Sequence, residues 1–229
     1  MGWKAFVIIV NNPLQIDNES LLRELGFKNL TKIEDEPFEV AIYPKDNAIY
    51  IGNYKDNLLI CESNAPMQFF EDAQTKTEKV LTKQFPISEI CSIVLHSVVN
   101  LWGYSIIKDG QKIRARAGSA EDGTFVDIGE PIEEEAELFS KATINENGVR
   151  TYLFEDIDDE PMTEDQVGEN FVFAIWKRYF GEELDRADDL LFETILTGYS
   201  YDNNTKKIDS TEQKNTSGKI DQKPWWKFW

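Results

Sequence analysis

The stretch that most restricts the fold is residues 89–129, EICSIVLHSVVNLWGYSIIKDGQKIRARAGSAEDGTFVDIG. It is a series of short β-branched and aromatic runs broken at Asp109-Gly110 and Asp122-Gly123. An Asp-Gly pair suits a two-residue hairpin turn because both turn positions need positive φ. After the first pair, Ile113, Ala115 and Ala117 alternate with Lys112, Arg114 and Arg116. That period of two predicts one covered face and one wet face. The segment therefore predicts an antiparallel meander of three or four strands.

The flanking sequence supplies helices and further strands, which gives an α+β fold: an antiparallel sheet covered by helices. GWKAFVIIVNN (2–12) reads as a buried first strand, and Asp17 and Asn18 cap a short helix that Gly26 ends. FEVAIY (38–43), AIYIGNY (48–54) and NLLICE (57–62) read as successive strands, and Phe69, Phe70, Ala73, Thr77, Val80 and Leu81 predict one helix over 66–84. Pro131 opens an acidic helix, and VRTYLF (149–154) is a further candidate strand. Thr163 with Gln166 makes a capping box for a helix reaching Phe180, stopped by Gly181. Asp185 caps a last helix carrying Ala187, Leu190, Leu191 and Ile195. These elements form one domain over 1–200. Residues 201–223 are polar and read as a flexible linker, and 224–229 form an aromatic motif.

Charge narrows the partners. The formal net charge is −18, and residues 118–170 alone hold 17 acidic and 2 basic side chains. Nucleic acid is excluded as a ligand of the body, since a phosphate backbone needs Lys and Arg to displace its counterions. A basic partner or a divalent cation fits this field better, and the same charge also serves solubility alone. The longest apolar run, AFVIIV at 5–10, is far short of a membrane span, and no signal-peptide pattern surrounds it. Cys61 and Cys91 form no CxxC and read as buried thiols of a reducing cytoplasm.

Residues 95–131 resemble the central segment of an uncharacterised bacterial family, a domain of unknown function. In that pattern His-Ser-Val-Val-Asp precedes an aromatic-rich strand, and an Asp-Gly hairpin, an Arg-bearing strand and Ile-Gly-Glu-Pro follow. Met1-Gly2 before a hydrophobic strand, AIYIGNYKDNLLI (48–60) and a late helix opened by VGE (167–169) are similar too. Asn100 stands where the pattern has Asp, and the aromatic tail lies outside it. The resemblance implies a shared fold and no known activity.

Several residues are candidates for chemistry. His96 is the only histidine. It is either a hydrogen-bonded structural residue or a general base acting with Ser97 and Asn100 as a catalytic set. Ser97 points away from His96 if the strand is regular, so a direct pair needs a bulge or strand end. Arg114 and Arg116 either clamp an anion, with Trp102 as a further binding residue, or pair with acids such as Asp127. DIDDE places Asp156, Asp158, Asp159 and Glu160 at close spacing, but Pro161 stands where a calcium loop needs glycine. No cofactor motif is present, and none is expected to bind.

The tail KPWWKFW sets Trp225, Trp226, Phe228 and Trp229 beside Lys223 and Lys227. Three destinations suit it: an anionic membrane surface, a groove on a partner, or this protein's own body. A 23-residue linker reaches roughly 25–30 Å, several screening lengths from the acidic body. The sequence thus suggests a cytoplasmic, acidic interaction or inhibitor-like protein with a docking tail, peripheral at the membrane if the tail binds lipid. The alternative is a hydrolase with a pocket around His96.

Overall fold

The computed structural model describes residues 2–154 and 160–202. The expected aromatic motif, almost all of the expected linker, and Asp156, Asp158 and Asp159 lie outside the described residues.

Strand β1 (Lys4–Asn11) shows why the fold needs two layers of cover. Val7 and Ile9 face one side, Ile8 and Val10 the other, and all four are fully buried. A strand of continuous apolar sequence must be central, and β1 lies between β5 (Asn57–Cys61) and β6 (Glu89–His96). Helix α1 (Asn18–Leu25) covers one side with Leu21, Leu22 and Leu25. Asp17 accepts from the Ser20 amide at its start, and Gly26 ends it with φ 107°.

The chain continues through β2 (Thr31–Lys32), β3 (Glu36–Pro37), α2 (Phe38–Ala41) and β4 (Ala48–Tyr54). A 3₁₀ turn at Pro66–Phe70 and α3 (Lys76–Gln84) follow β5. After β6 come β7 (Leu101–Lys108), β8 (Gln111–Ser119) and β9 (Gly123–Ile128), which is the expected meander. Then come a 3₁₀ turn at Glu133–Glu135, α4 (Ala136–Ser140), β10 (Ala142–Ile144), β11 (Arg150–Tyr152), β12 (Met162–Thr163), α5 (Gly168–Phe180) and β13 (Ile195–Ser200). The main sheet has ten strands, ordered β2-β13-β4-β5-β1-β6-β7-β8-β9 with β3 beside β13, and every pairing is antiparallel. Strands β10–β12 form a small separate sheet. Helix α5 covers the face opposite α1 and α3 with Phe171, Val172, Ile175 and Trp176. No helix among the described residues is long and apolar enough to cross a membrane.

Four local expectations are corrected. FEVAIY is helical at Phe38–Ala41: Phe38, Ala41 and Ile42 turn inward while Val40 and Tyr43 stay exposed, a spacing of three and four residues rather than two. The helix expected over 66–84 is two elements, because Thr75 and Glu78 form a capping box that starts α3 afresh. Ile195 opens β13, not the end of a helix; Leu184–Arg186 and Asp189–Glu193 are single turns that lead the chain back to pair with β4. The expected wet face of β8 is buried: Arg114 is 1% and Arg116 0% exposed. A bulge between Ile106 and Ile107 also moves Lys112 to the α3 side, where its ammonium meets Glu78 at 3.0 Å and the carbonyls of Phe69 and Glu71.

The β7–β8 turn has positive φ at both Asp109 (50°) and Gly110 (74°), and a Cβ on Gly110 would meet nothing within 4 Å. Gly110→Ala therefore isolates backbone strain and should cost about 1–2 kcal/mol in a denaturant titration. A change below about 0.3 kcal/mol would show that this turn does not fix the register.

Candidate functional site

On the α5 face of β8, two guanidinium groups lie beneath the elements that follow the meander. Arg114 bonds Glu135 through Nε (3.0 and 2.9 Å) and Nη2 (2.7 Å). Its Nη1 reaches Asp127 Oδ1 at 2.7 Å and the carbonyl of Gly129 at 2.7 Å. Glu135 is fully buried, accepts from the Tyr104 hydroxyl, and takes the Ile132 amide at 2.7 Å. Burial, followed by the Glu135 charge, pushes the Tyr104 phenol well above its ordinary range, so it donates and does not ionise.

Arg116 is caged by aromatic rings, its guanidinium carbon lying 4.7 Å from the ring centroid of Phe171, 5.0 Å from Phe139 and 5.3 Å from Trp102. Nη2 bonds Glu164. Nε and Nη1 have no hydrogen-bond partner among the described residues, although Asp127 Oδ2 lies at 3.5 Å and Glu135 Oε1 at 3.8 Å. Glu164 also accepts from the Tyr152 hydroxyl (3.0 Å) and Arg150 (3.3 Å). The network holds the Glu133–Glu135 turn, the small sheet and the entry to α5 against the main sheet.

Beside it, where the β6–β7 turn meets the start of α5, is a small polar cavity of about 170 Å³. Ser97, Asn100, Trp102, Asp165, Glu169 and Asn170 line it. The Ser97 hydroxyl accepts from the Trp3 amide at 3.0 Å and donates to Glu169. Asn100, in the left-handed region at φ 47°, donates to Asp165 at 2.9 Å. Gly168 is required here, because a Cβ would come within 2.1 Å of the Trp102 ring.

The structure thus brings Ser97, Asn100 and Trp102 together and leaves His96 elsewhere. β6 ends at His96 and a 3₁₀ turn begins at Ser97, so the two side chains diverge. His96 lies opposite Lys4 across the β1–β6 ladder and 6.2 Å from the Tyr43 ring. Its Nδ1 has no hydrogen-bond partner among the described residues. Burial, then the Lys4 charge, lowers its pKa. Arg114 and Arg116 both lie near Asp127, but the sequence reading missed their deeper partners Glu135 and Glu164, and also missed Asp165 and Glu169. The VGE motif and the Thr163–Gln166 pair, bonded at 2.8 Å, were the available signals for this α5 entry. Glu160 is exposed, and among the described residues no three acidic, His or Cys side chains are grouped to hold a metal ion.

A third feature is an apolar groove of about 630 Å³ between α4 and β10–β11. Pro131, Ile132, Phe139, Ala142 and Ile144 line it, with Glu133 and Arg150 at its rim. Arg150 stacks over Phe139 at 5.0 Å.

Two measurements test this geometry. Glu164→Leu leaves Arg116 buried without its strongest partner and should cost about 3–5 kcal/mol, much of it recovered by adding Arg116→Met. A loss under about 1 kcal/mol would reclassify the pair as a surface contact. An NMR titration of His96 should give a midpoint below the ordinary 6.5, raised only part of the way by Lys4→Gln because burial is the larger cause. The unfolded chain then takes up the proton first. The His96 contribution to stability is complete above about 6.5 and declines as pH falls toward the folded value. A midpoint above 6.5 would place the ring in a different environment.

No curated protein and no solved structure matches the chain. A model for a family described as "Family of unknown function (DUF6928)" matches residues 18–145. The matched span includes the meander, Arg114, Arg116 and Glu135, and it stops before Glu164 and α5. With more than half of its length matched in this way, the chain belongs to the DUF6928 family of unknown function.

Proposed function

We propose that this protein is a cytoplasmic, non-enzymatic interaction module whose acidic surface binds a basic partner, with the tail as a second docking element. The observation that carries this reading is where the positive charge goes. All six arginines are ion-paired within the fold: Arg23, Arg114, Arg116, Arg150, Arg178 and Arg186. Arg114, Arg116 and Arg178 neutralise part of 118–170 through Asp127, Glu134, Glu135 and Glu164, and 17 acids against 2 bases still leave that stretch with an excess of negative charge. Such a field raises the encounter rate of a cationic partner and repels nucleic acid. Cys61 and Cys91, both free and buried, support a reducing compartment.

The runner-up reading, a hydrolase, is supported by the contact between Ser97 and Glu169, a hydroxyl donating to a carboxylate beside a cavity. His96 adds nothing to it in this arrangement, and the Ser97 hydroxyl also holds the Trp3 backbone.

One titration separates the two. Octalysine added to the full chain and followed by amide NMR should shift resonances concentrated in 118–170, with binding that weakens steeply as salt shortens the screening length from about 10 Å at 0.1 M to 3 Å at 1 M. A fluorophosphonate probe, which labels activated serines, should leave Ser97 unmodified. Shifts spread evenly over the surface, or labelling of Ser97, would overturn the proposal.

A further inference from the structure

The groove between α4 and β10–β11 is lined mainly by apolar side chains with one acidic and one basic residue among them, the composition of a recognition site. Its size lies within the range of ligand pockets, roughly 300–1,000 Å³. The half-buried ring of Phe139 lines it, with the guanidinium groups of Arg116 and Arg150 each 5.0 Å from the ring centroid. Ile144 is 64% exposed at the edge. The groove therefore offers a hydrophobic slot with Arg150 and the carboxylate of Glu133 in its lining, and Glu130 is close by in sequence. An occupant that satisfies this has large aromatic rings for the slot and positive charges to meet Glu133 and the acids near it.

We infer that the groove receives this chain's own C-terminal segment, KPWWKFW (223–229). The segment carries two indoles between Lys223 and Lys227 and a phenyl ring and a third indole after Lys227. The acidic rim belongs to the most negative stretch of the protein, while residues 201–229 hold 6 lysines against 4 acids, so attraction is long-range as well as local.

The reach is sufficient. The described chain ends at Asp202, just past β13, where the Tyr201 amide bonds Asn47 and the Asp202 amide bonds Lys28. In the sheet order β13 and β8 are six strand spacings apart, roughly 29 Å at about 4.8 Å each. Twenty residues separate Asp202 from Lys223. A polar chain of that length spans roughly 22–27 Å as a coil and up to about 70 Å extended. Tethering at this length gives an effective concentration near millimolar, so a weak site suffices to hold the segment. The docked segment covers the groove and neutralises part of its rim, so it competes with a basic, aromatic partner for the same surface. The electrostatic part of this inference rests on the proposed function above; the apolar part does not.

The test is photo-crosslinking in the full chain with benzoylphenylalanine replacing Ile144, an exposed position whose change leaves the core intact. Irradiation at low micromolar concentration followed by peptide mapping should join position 144 to residues 223–229 in the monomer band. Adding Lys223→Glu and Lys227→Glu should lower the yield several-fold, each exposed pair contributing up to about fivefold. Three results would overturn the inference: no crosslink to the tail, a crosslink only in a dimer band (a second copy as occupant), or flotation of the protein on phosphatidylglycerol vesicles with no tail crosslink in their absence. Octalysine shifts that persist while the crosslink fails would remove this inference and leave the proposed function standing. An intact crosslink, with no octalysine binding even by the Lys223→Glu, Lys227→Glu chain whose tail is released, would do the reverse.

Discussion

Two buried arginines on one strand govern the half of the molecule that holds its cavities. A guanidinium out of water is costly unless it is hydrogen-bonded and paired, and mutual attraction seldom yields much beyond break-even. Arg114 and Arg116 are therefore weak sources of net stability and strong sources of specificity. Removing either partner leaves a charge with nowhere to go, so the surrounding pieces have one arrangement. Those pieces come from distant parts of the chain. Glu135 is 21 residues from Arg114, and Glu164 is 48 residues from Arg116. Neither carboxylate sits in a long regular element that could position itself. Each is held by what it binds, including the Ile132 amide for Glu135 and the Tyr152 hydroxyl for Glu164.

This bracing places the polar cavity. Glu164 turns inward to Arg116 while its neighbour Asp165 turns outward to Asn100. Four residues on, Glu169 takes the Ser97 hydroxyl. Trp102 belongs to both regions: its ring stacks on Phe171 at 5.8 Å and lies by Arg116, and it also lines the cavity. Removing Glu164 from Arg116 would therefore disturb Asp165 and Asn100 as well. The cavity and the ionic network are one mechanical unit, so polarity around Ser97 is not by itself a sign of catalysis.

What could be read from the chain follows the range of the interaction that decides each feature. Asp109-Gly110, the alternation of Ala115 and Ala117, and the stripe of Phe171, Ile175 and Tyr179 are settled within a few residues, and all were legible. Thr75 and Glu78 carried a readable capping signal that the longer apolar spacing of Phe69 to Leu81 obscured. Phe38, Ala41 and Ile42 could belong to a short strand or a single helical turn, and their burial decides between them. Ile195 pairs with Pro37 of β3, and the rest of β13 with β4, from the far end of the chain, a pairing no local pattern specifies. The burial of Arg114 and Arg116 was least legible, since arginine is almost never buried unless paired and both deep partners are remote.

The same network bears on the surface. Each carboxylate that pairs with Arg114 or Arg116 is matched by a cation inside the fold, and Lys112 is likewise held by Glu78. These bases cannot move to the exterior to balance Glu130, Glu133, Glu146 or the other acids of that region. A chain with the same composition and solvated arginines would have a patchwork surface of both signs. Here the requirement for a uniquely arranged interior withdraws positive charge from solvent and leaves the exterior anionic. The acidity is thus coupled to the way the fold is braced, and a cationic ligand meets a field that the architecture itself maintains.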